Sequence, residues 1–253
     1  MNHHRFKYLL LLMLSPLFGC AEGTPDGWRL PPFLAEVSGL AAHEGRLLMH
    51  DDEVGNVFLF DPGSGDIEPI ATLNVRDDFE GVAIFEGQII VVNSTGLIYQ
   101  MPVGGNAATK TMNTGLQDIC EVEGLDVHGN QILLACKTNY VAKQSRLLIY
   151  SYEPATASLK QFMNVSLKEW DVGKFAPSAL AVKNDLVYLL SAKPKKLLVM
   201  TMQGEVQQVV RFESKRHPQP EGLAWLDNVL YIANEDKKGG TITTFSNPLD
   251  TSH

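Results

Sequence analysis

Three glutamates stand in near-identical surroundings: Phe79-Glu80-Gly81-Val82-Ala83, Val122-Glu123-Gly124-Leu125-Asp126 and Pro220-Glu221-Gly222-Leu223-Ala224. The phrase returns with Ser in place of Glu as Val37-Ser38-Gly39-Leu40-Ala41 and Pro177-Ser178-Ala179-Leu180-Ala181. If the copies are arranged around an axis, three carboxylates meet. Crowded carboxylates raise one another's pKa values unless a positive charge stands among them. A hard divalent cation resolves this, and Ca2+ takes six to eight oxygen ligands. Glu80, Glu123 and Glu221 are therefore candidate metal ligands, with Ser38 and Ser178 placed to donate hydrogen bonds to the ring or to metal-bound water. No histidine cluster accompanies them to recruit zinc or copper. The competing reading is structural: the glutamates accept backbone N–H bonds and tie adjacent units together, aided by Lys137 or Lys193.

The elements that must position these residues follow from the spacing. Taking the Gly (or Ala179) as marker, the steps are 42, 43, 55 and 43 residues. A period in this range means one supersecondary unit repeated. After each phrase comes a polar turn and then a β-rich run: Arg46 to Met49, Ile89 to Val92, Ile132 to Cys136, Leu186 to Leu190 and Val229 to Ala233. A third run follows another turn: Val57 to Phe60, Leu97 to Met101, Leu147 to Tyr152, Leu197 to Met202 and Thr241 to Phe245. A more polar fourth run closes four units, as in Glu205 to Phe212. Short β-branched and aromatic runs between Gly, Asn, Asp and Pro are strand-and-hairpin grammar. Only Ser166 to Val172 reads as a brief helical turn.

Four antiparallel strands per unit, repeated radially, predict an all-β, five-bladed β-propeller. The last unit has three clear strands, and Trp28 to Leu30 belongs to no unit. That stretch is expected to supply the outer strand of the last blade, closing the ring and removing an open edge. The long step of 55 residues reflects insertions around Thr138 to Ser145 and Val165 to Phe175.

In a propeller the first strand of each blade lines the channel, so the glutamates should share one mouth. The turns after each second strand lie at that mouth and form a possible second ring: Asp52, Asn93, Lys137, Lys193, Asn234 and Glu235. Asp52, Asn93 and Asn234 would extend a metal shell, and Lys137 and Lys193 would attract an anionic ligand. Each also reads as an ordinary turn residue. The chain holds no GxSxG, HExxH or phosphate loop, so the catalytic residues are unknown. His50 beside Asp51 and Asp52 is a close His–carboxylate pairing; its default reading is a channel- or turn-lining histidine.

The N-terminus is set apart. Arg5 and Lys7 precede the apolar stretch Leu9 to Leu14, which is too short for a permanent span and suits a signal segment. It ends at Leu17-Phe18-Gly19-Cys20, which resembles a bacterial lipobox with Phe18 as a departure from its pattern. The expectation is a signal peptide over 1–19, a tether over 20–27 and the propeller over 28–253. Acyl chains on Cys20 would hold the domain to a membrane facing the periplasm, the outer membrane rather than the inner. Export to an oxidising compartment makes a Cys120–Cys136 bridge possible, two buried thiols being the alternative. A net charge of −8 with no basic stripe argues against nucleic acid as a partner.

The mature chain resembles the SdiA-regulated, YjiK-like propeller proteins of bacteria. The likeness rests on the three Glu-Gly phrases, the Asp52-Glu53 turn, the Met202-Gln203-Gly204-Glu205-Val206 hairpin and Tyr231-Ile232-Ala233-Asn234-Glu235. It implies a five-bladed propeller with a calcium ion near the axis. Lys137, Lys193 and Asn93-Ser94 depart from it, at turns where relatives tend to be acidic. The functional expectation is a lipid-anchored, calcium-binding module of the cell envelope that presents a polar mouth to a small ligand, a glycan or an envelope protein. The alternatives are a metal-dependent hydrolase of lactonase, esterase or phytase type, and a purely structural assembly protein.

Overall fold

The structure is a computed structural model, and it describes residues 19–24, 27–141 and 146–249. Five antiparallel sheets follow one another along the chain, each in the order inner to outer strand. The first blade comprises Val37–His43, Arg46–Asp51, Asn56–Phe60 and Asp66–Thr72. The second comprises Phe79–Phe85, Gln88–Asn93, Leu97–Pro102 and Lys110–Asn113. The third comprises Cys120–His128, Gln131–Asn139, Arg146–Glu153 and Ser158–Ser166, and the fourth Ala179–Lys183, Leu186–Ser191, Lys196–Thr201 and Val206–Arg211. In the fifth, Pro220–Leu226, Val229–Asn234 and Thr241–Phe245 are completed by Gly27–Arg29 from the N-terminal segment. The first strands of neighbouring blades pack on one another in a closed circle, the fifth against the first. This is the expected five-bladed propeller.

Closure goes further than the sequence suggests. Glu22–Thr24 adds a fifth strand outside Gly27–Arg29, and Gly19–Cys20 crosses to pair with Ile67 and Asp66 of the first blade. Much of the segment expected as a tether thus lies along two blade edges. Of the signal peptide expected over 1–19, residues 1–18 lie outside the described residues and Gly19 pairs with Ile67. Trp28 packs between the two blades, with ring centroids 5.4 Å from Phe60 and 6.3 Å from Tyr231. The core lies between blades, where side chains alternate inward from facing sheets.

The repeated phrase has two physical jobs. Its glycine lets adjacent first strands approach closely: a Cβ on Gly81 would come within 2.7 Å of Leu125 Cβ, and one on Gly124 within 2.9 Å of Leu180 Cβ. The residue before the glycine is a β-bulge. Register jumps from Val37 to Gly39, Phe79 to Gly81, Val122 to Gly124 and Pro220 to Gly222, so Ser38, Glu80, Glu123 and Glu221 have no cross-strand partner. A bulge re-aims the extra side chain, and here it turns each one to the axis.

Cys120 and Cys136 form a disulfide, with Cα atoms 5.7 Å apart, joining the first two strands of the third blade. The expected helical turn over 166–172 is a hydrogen-bonded turn instead, Trp170 N–H donating to Leu167 O at 3.1 Å. Ser166 still belongs to the strand Ser158–Ser166, and Gly173 at φ +65° turns the chain away before a helix can form. The one helix among the described residues is the short 3-10 turn Pro32–Leu34, which carries the chain from Arg29 toward the first blade.

Candidate functional site

Glu80, Glu123 and Glu221 line one narrow axial cavity together with Ser38, Gly39 and Gly81. The bulges bring together residues from four blades. Glu123 is the most deeply set, at 3% exposure. Ser178 Oγ donates to Pro220 O at 2.8 Å and also bonds the Glu221 carboxylate.

A cation stands among them. Lys137 Nζ is paired with Glu123 Oε1 and lies 3.7 Å from Glu121 Oε1. Its charge also acts favourably on Glu80 and Glu221. Even so, burial pushes the Glu80 carboxyl up to about 8, reinforced by Asp78, Glu221 and Glu121. Burial raises Glu221 to about 7 against the pull of Lys137 and Lys195. Glu235 is raised to about 8 by burial and by Glu221, Asp52 and Glu36. Asp52 is raised to about 6 by burial and by Glu36, Glu53 and Asp51. The mouth is therefore short of positive charge, and part of its acid stays protonated near neutrality.

The second ring divides. Asp52 and Glu235 belong to the acidic side of the mouth. Lys137 and Lys193 line a cleft of about 580 Å³ that also includes Glu123, Glu221, Ser178, Lys174 and Lys195. Asn93 is buried in its own turn instead: Oδ1 accepts from Thr95 and Leu97 N–H, and Nδ2 donates to Asp77 at 2.8 Å. Asn234 is fully buried among His217, Thr243 and Ile232 O. Both amides are engaged in fixing loops, so neither is placed to extend a metal shell. His50 is buried and neutral, its pKa lowered by burial, with Nδ1 on Asp51 O at 2.8 Å. It packs behind Gly39 rather than against a carboxylate, and so makes a poor general base.

Sequence reasoning missed Glu36, Glu121, Lys174 and Lys195. The first two carry a readable signal. The residue two before the bulge is Glu36, Asp78, Glu121 and Gln219 in four copies of the phrase, and strand periodicity keeps it on the mouth side. Gln219 fits the pattern by donating to Glu235. Lys174 sits in the inserted loop, where no repeat position predicts it. Lys195 Nζ donates to His217 O at 2.9 Å and to Pro218 O, which staples the entry to the fifth blade.

The donor set does not fit calcium as arranged. Among the described residues no three His, Cys, Asp or Glu side chains converge closely enough to hold one metal ion. The most buried carboxylate of the ring already has an ammonium partner, whereas Ca2+ requires several oxygens at about 2.3–2.6 Å.

Cys20 is exposed with a free thiol, beside the 61–65 turn. That turn joins the third and fourth strands of the first blade, at the opposite strand ends from the Asp52 turn. Among the described residues no helix is long and apolar enough to cross a membrane.

No family model matches the chain, and no curated protein matches it in sequence. Solved structures do resemble it. The glutaminyl cyclase of Myxococcus xanthus aligns over 90% of this chain and 98% of its own, with TM-score 0.61 and 14% identity. A chain of the nidogen/laminin complex aligns over 78% of this chain and 72% of its own, with TM-score 0.52 and 12% identity. At these identities the likeness is one of fold, shared by a protein named for an enzymatic activity and one seen in a protein assembly.

Proposed function

We propose that this chain is a binding module of the cell envelope whose ligand site is the mouth of the propeller, and that its ligand is a small dipolar molecule with one cationic and one anionic group, of the amino-acid or peptide-terminus type. The observation that carries this reading is the cleft shared by Glu123 and Glu221 with Lys137, Lys174 and Lys193. Its volume suits a small ligand, and both charge signs line one wall system. Glu221, raised to about 7 by burial, supplies the cationic end with a site, and Lys174 and Lys193, both exposed, supply the anionic end. Calcium is not needed for this reading.

The anchor is part of the proposal. Lipid on Cys20 would attach at the turn side of the first blade and leave the glutamate mouth facing away from the membrane. Support comes from the Leu17-Phe18-Gly19-Cys20 sequence and from the exposed thiol. Metabolic acyl labelling should be lost in Cys20→Ser.

Titration calorimetry with amino acids, dipeptides, carboxylates, amines and neutral sugars tests the ligand class. Dipolar compounds should bind and release protons, because an incoming ammonium drives Glu80 and Glu221 to ionise; the apparent enthalpy will then vary with buffer. Glu221→Gln and Lys193→Gln should each weaken binding about tenfold, the scale of one charge-assisted hydrogen bond. Binding of neutral sugars alone, or binding indifferent to both variants, would rule the reading out.

One observation favours an enzyme as second reading: a carboxyl near 7 and two near 8 suit proton transfer at neutral pH. This would be acid–base chemistry by the chain's own groups, not metal-dependent hydrolysis. Turnover of an ester, lactone or amide panel, abolished in Glu221→Gln with ligand binding retained, would favour it over simple binding.

A further inference from the structure

Lys137 is held at the ring by a device that the other blades lack. In the third blade the register runs Glu121 to Thr138 and then Val122 to Cys136, so Lys137 is skipped. Glu123 is skipped on the facing strand. Two irregularities therefore oppose each other, one re-aiming an acid and the other a base. In the first, second and fifth blades only the first strand is irregular at this level, and in the fourth the two strands pair without a break. The Cys120–Cys136 disulfide joins the residues just before Glu121 and Lys137. It pins the two strands where the ladder is broken. The ammonium then meets Glu123, which is almost wholly buried, and stands near Glu121. A buried carboxylate without a partner is costly, and a cation at this point relieves it.

We infer that Lys137 is the resident cation of the carboxylate ring, taking the place and the electrostatic duty of a metal ion, so that the centre of this propeller is metal-independent. The repeat suggests a calcium site; the third blade fills it with a side chain instead. The inference stands on the Lys137–Glu123 geometry alone and does not depend on what the mouth binds.

The test uses the full chain. After chelation, the melting temperature should be the same with chelator and with millimolar Ca2+, and elemental analysis should find no stoichiometric calcium. Lys137→Gln should lower the melting temperature by about 5 °C, the scale of losing a partly exposed ion pair to a buried acid in a domain of this size. Lys137→Arg should keep most of the stability. The double variant Lys137→Gln/Glu123→Gln should be more stable than Lys137→Gln alone, because no uncompensated carboxylate remains. The double variant also answers the question if the single one fails to fold. One bound Ca2+ per wild-type chain with a raised melting temperature would overturn the inference. So would strictly additive effects of the two substitutions.

Discussion

Glu80 shows most clearly what the mouth does to a single residue. Its carboxyl lies at about 8 because burial and the charges of Asp78, Glu221 and Glu121 outweigh Lys137. An acid whose folded pKa exceeds its unfolded value binds more protons folded than unfolded. Its stabilising effect is complete below the unfolded value near 4.5 and is lost as pH rises through about 8. Glu221 and Glu235 act in the same direction, their windows ending at about 7 and about 8. His50 acts oppositely, since its lowered pKa erodes stability only below its unfolded value near 6.5. Between pH about 6.5 and about 8.5 the carboxyls therefore dominate, and the melting temperature should fall. Glu80→Gln should flatten that slope and leave the protein about 1–3 kcal/mol more stable than wild type at the alkaline end. Melts across this range check it; an unchanged slope would remove Glu80 from the cause.

At the scale of the element, the bulged first strand is the unit that makes the site. Its glycine permits close packing, and the bulge turns the preceding side chain to the axis. Gly124 shows the constraint: a methyl there meets Ala135 Cβ and Leu180 Cβ at 2.9 Å, with backbone N of Leu180 at 3.1 Å. Neither neighbour can yield without moving a strand. Gly124→Ala should therefore cost about 1–3 kcal/mol, the scale of overpacking, measured by urea unfolding. The fourth blade already carries Ala179 at this position. The reverse change Ala179→Gly should cost at most about 1 kcal/mol, through strand propensity and lost contact. The contrast tests whether the phrase is kept for backbone approach rather than for a turn.

For the whole molecule, stability depends on closing the circle. Gly27–Arg29 gives the last blade its fourth strand, and Ala21, whose N–H donates to Gly65 O at 2.8 Å, carries the same segment onto the first blade. Trp28 fills the junction between Phe60 and Tyr231. Trp28→Ala should cost about 3 kcal/mol, the scale of deleting a packed aromatic ring. It should also expose the outer edge of the fifth blade to pairing with other chains. Thermal melts and light scattering measure the two effects. A loss of stability without association would mean that Gly27–Arg29 still pairs with Thr241–Phe245 and covers that edge.

The sequence by itself determined the number of blades, the strand runs and the use of Trp28 as a closing strand. It did so because period and alternation report directly on repeated, half-buried strands. It also located Glu80, Glu123 and Glu221 at one mouth, because identical phrases take identical places in identical units. Tertiary structure decided what those glutamates meet. Lys137 reaches Glu123 only because a second bulge, beside the disulfide, shifts it out of the ladder; no pattern in one strand records a break in its neighbour. Asn93 and Asn234 stand where Asp51 does, each paired with the residue before the bulge, so their amides bond their own loops and face inward, whereas Asp52 and Glu235 lie one residue further on, at the mouth. Repetition fixes where a backbone position falls. Which way its side chain turns, and what charge it finds there, depends on contacts between strands and blades that the repeat does not encode.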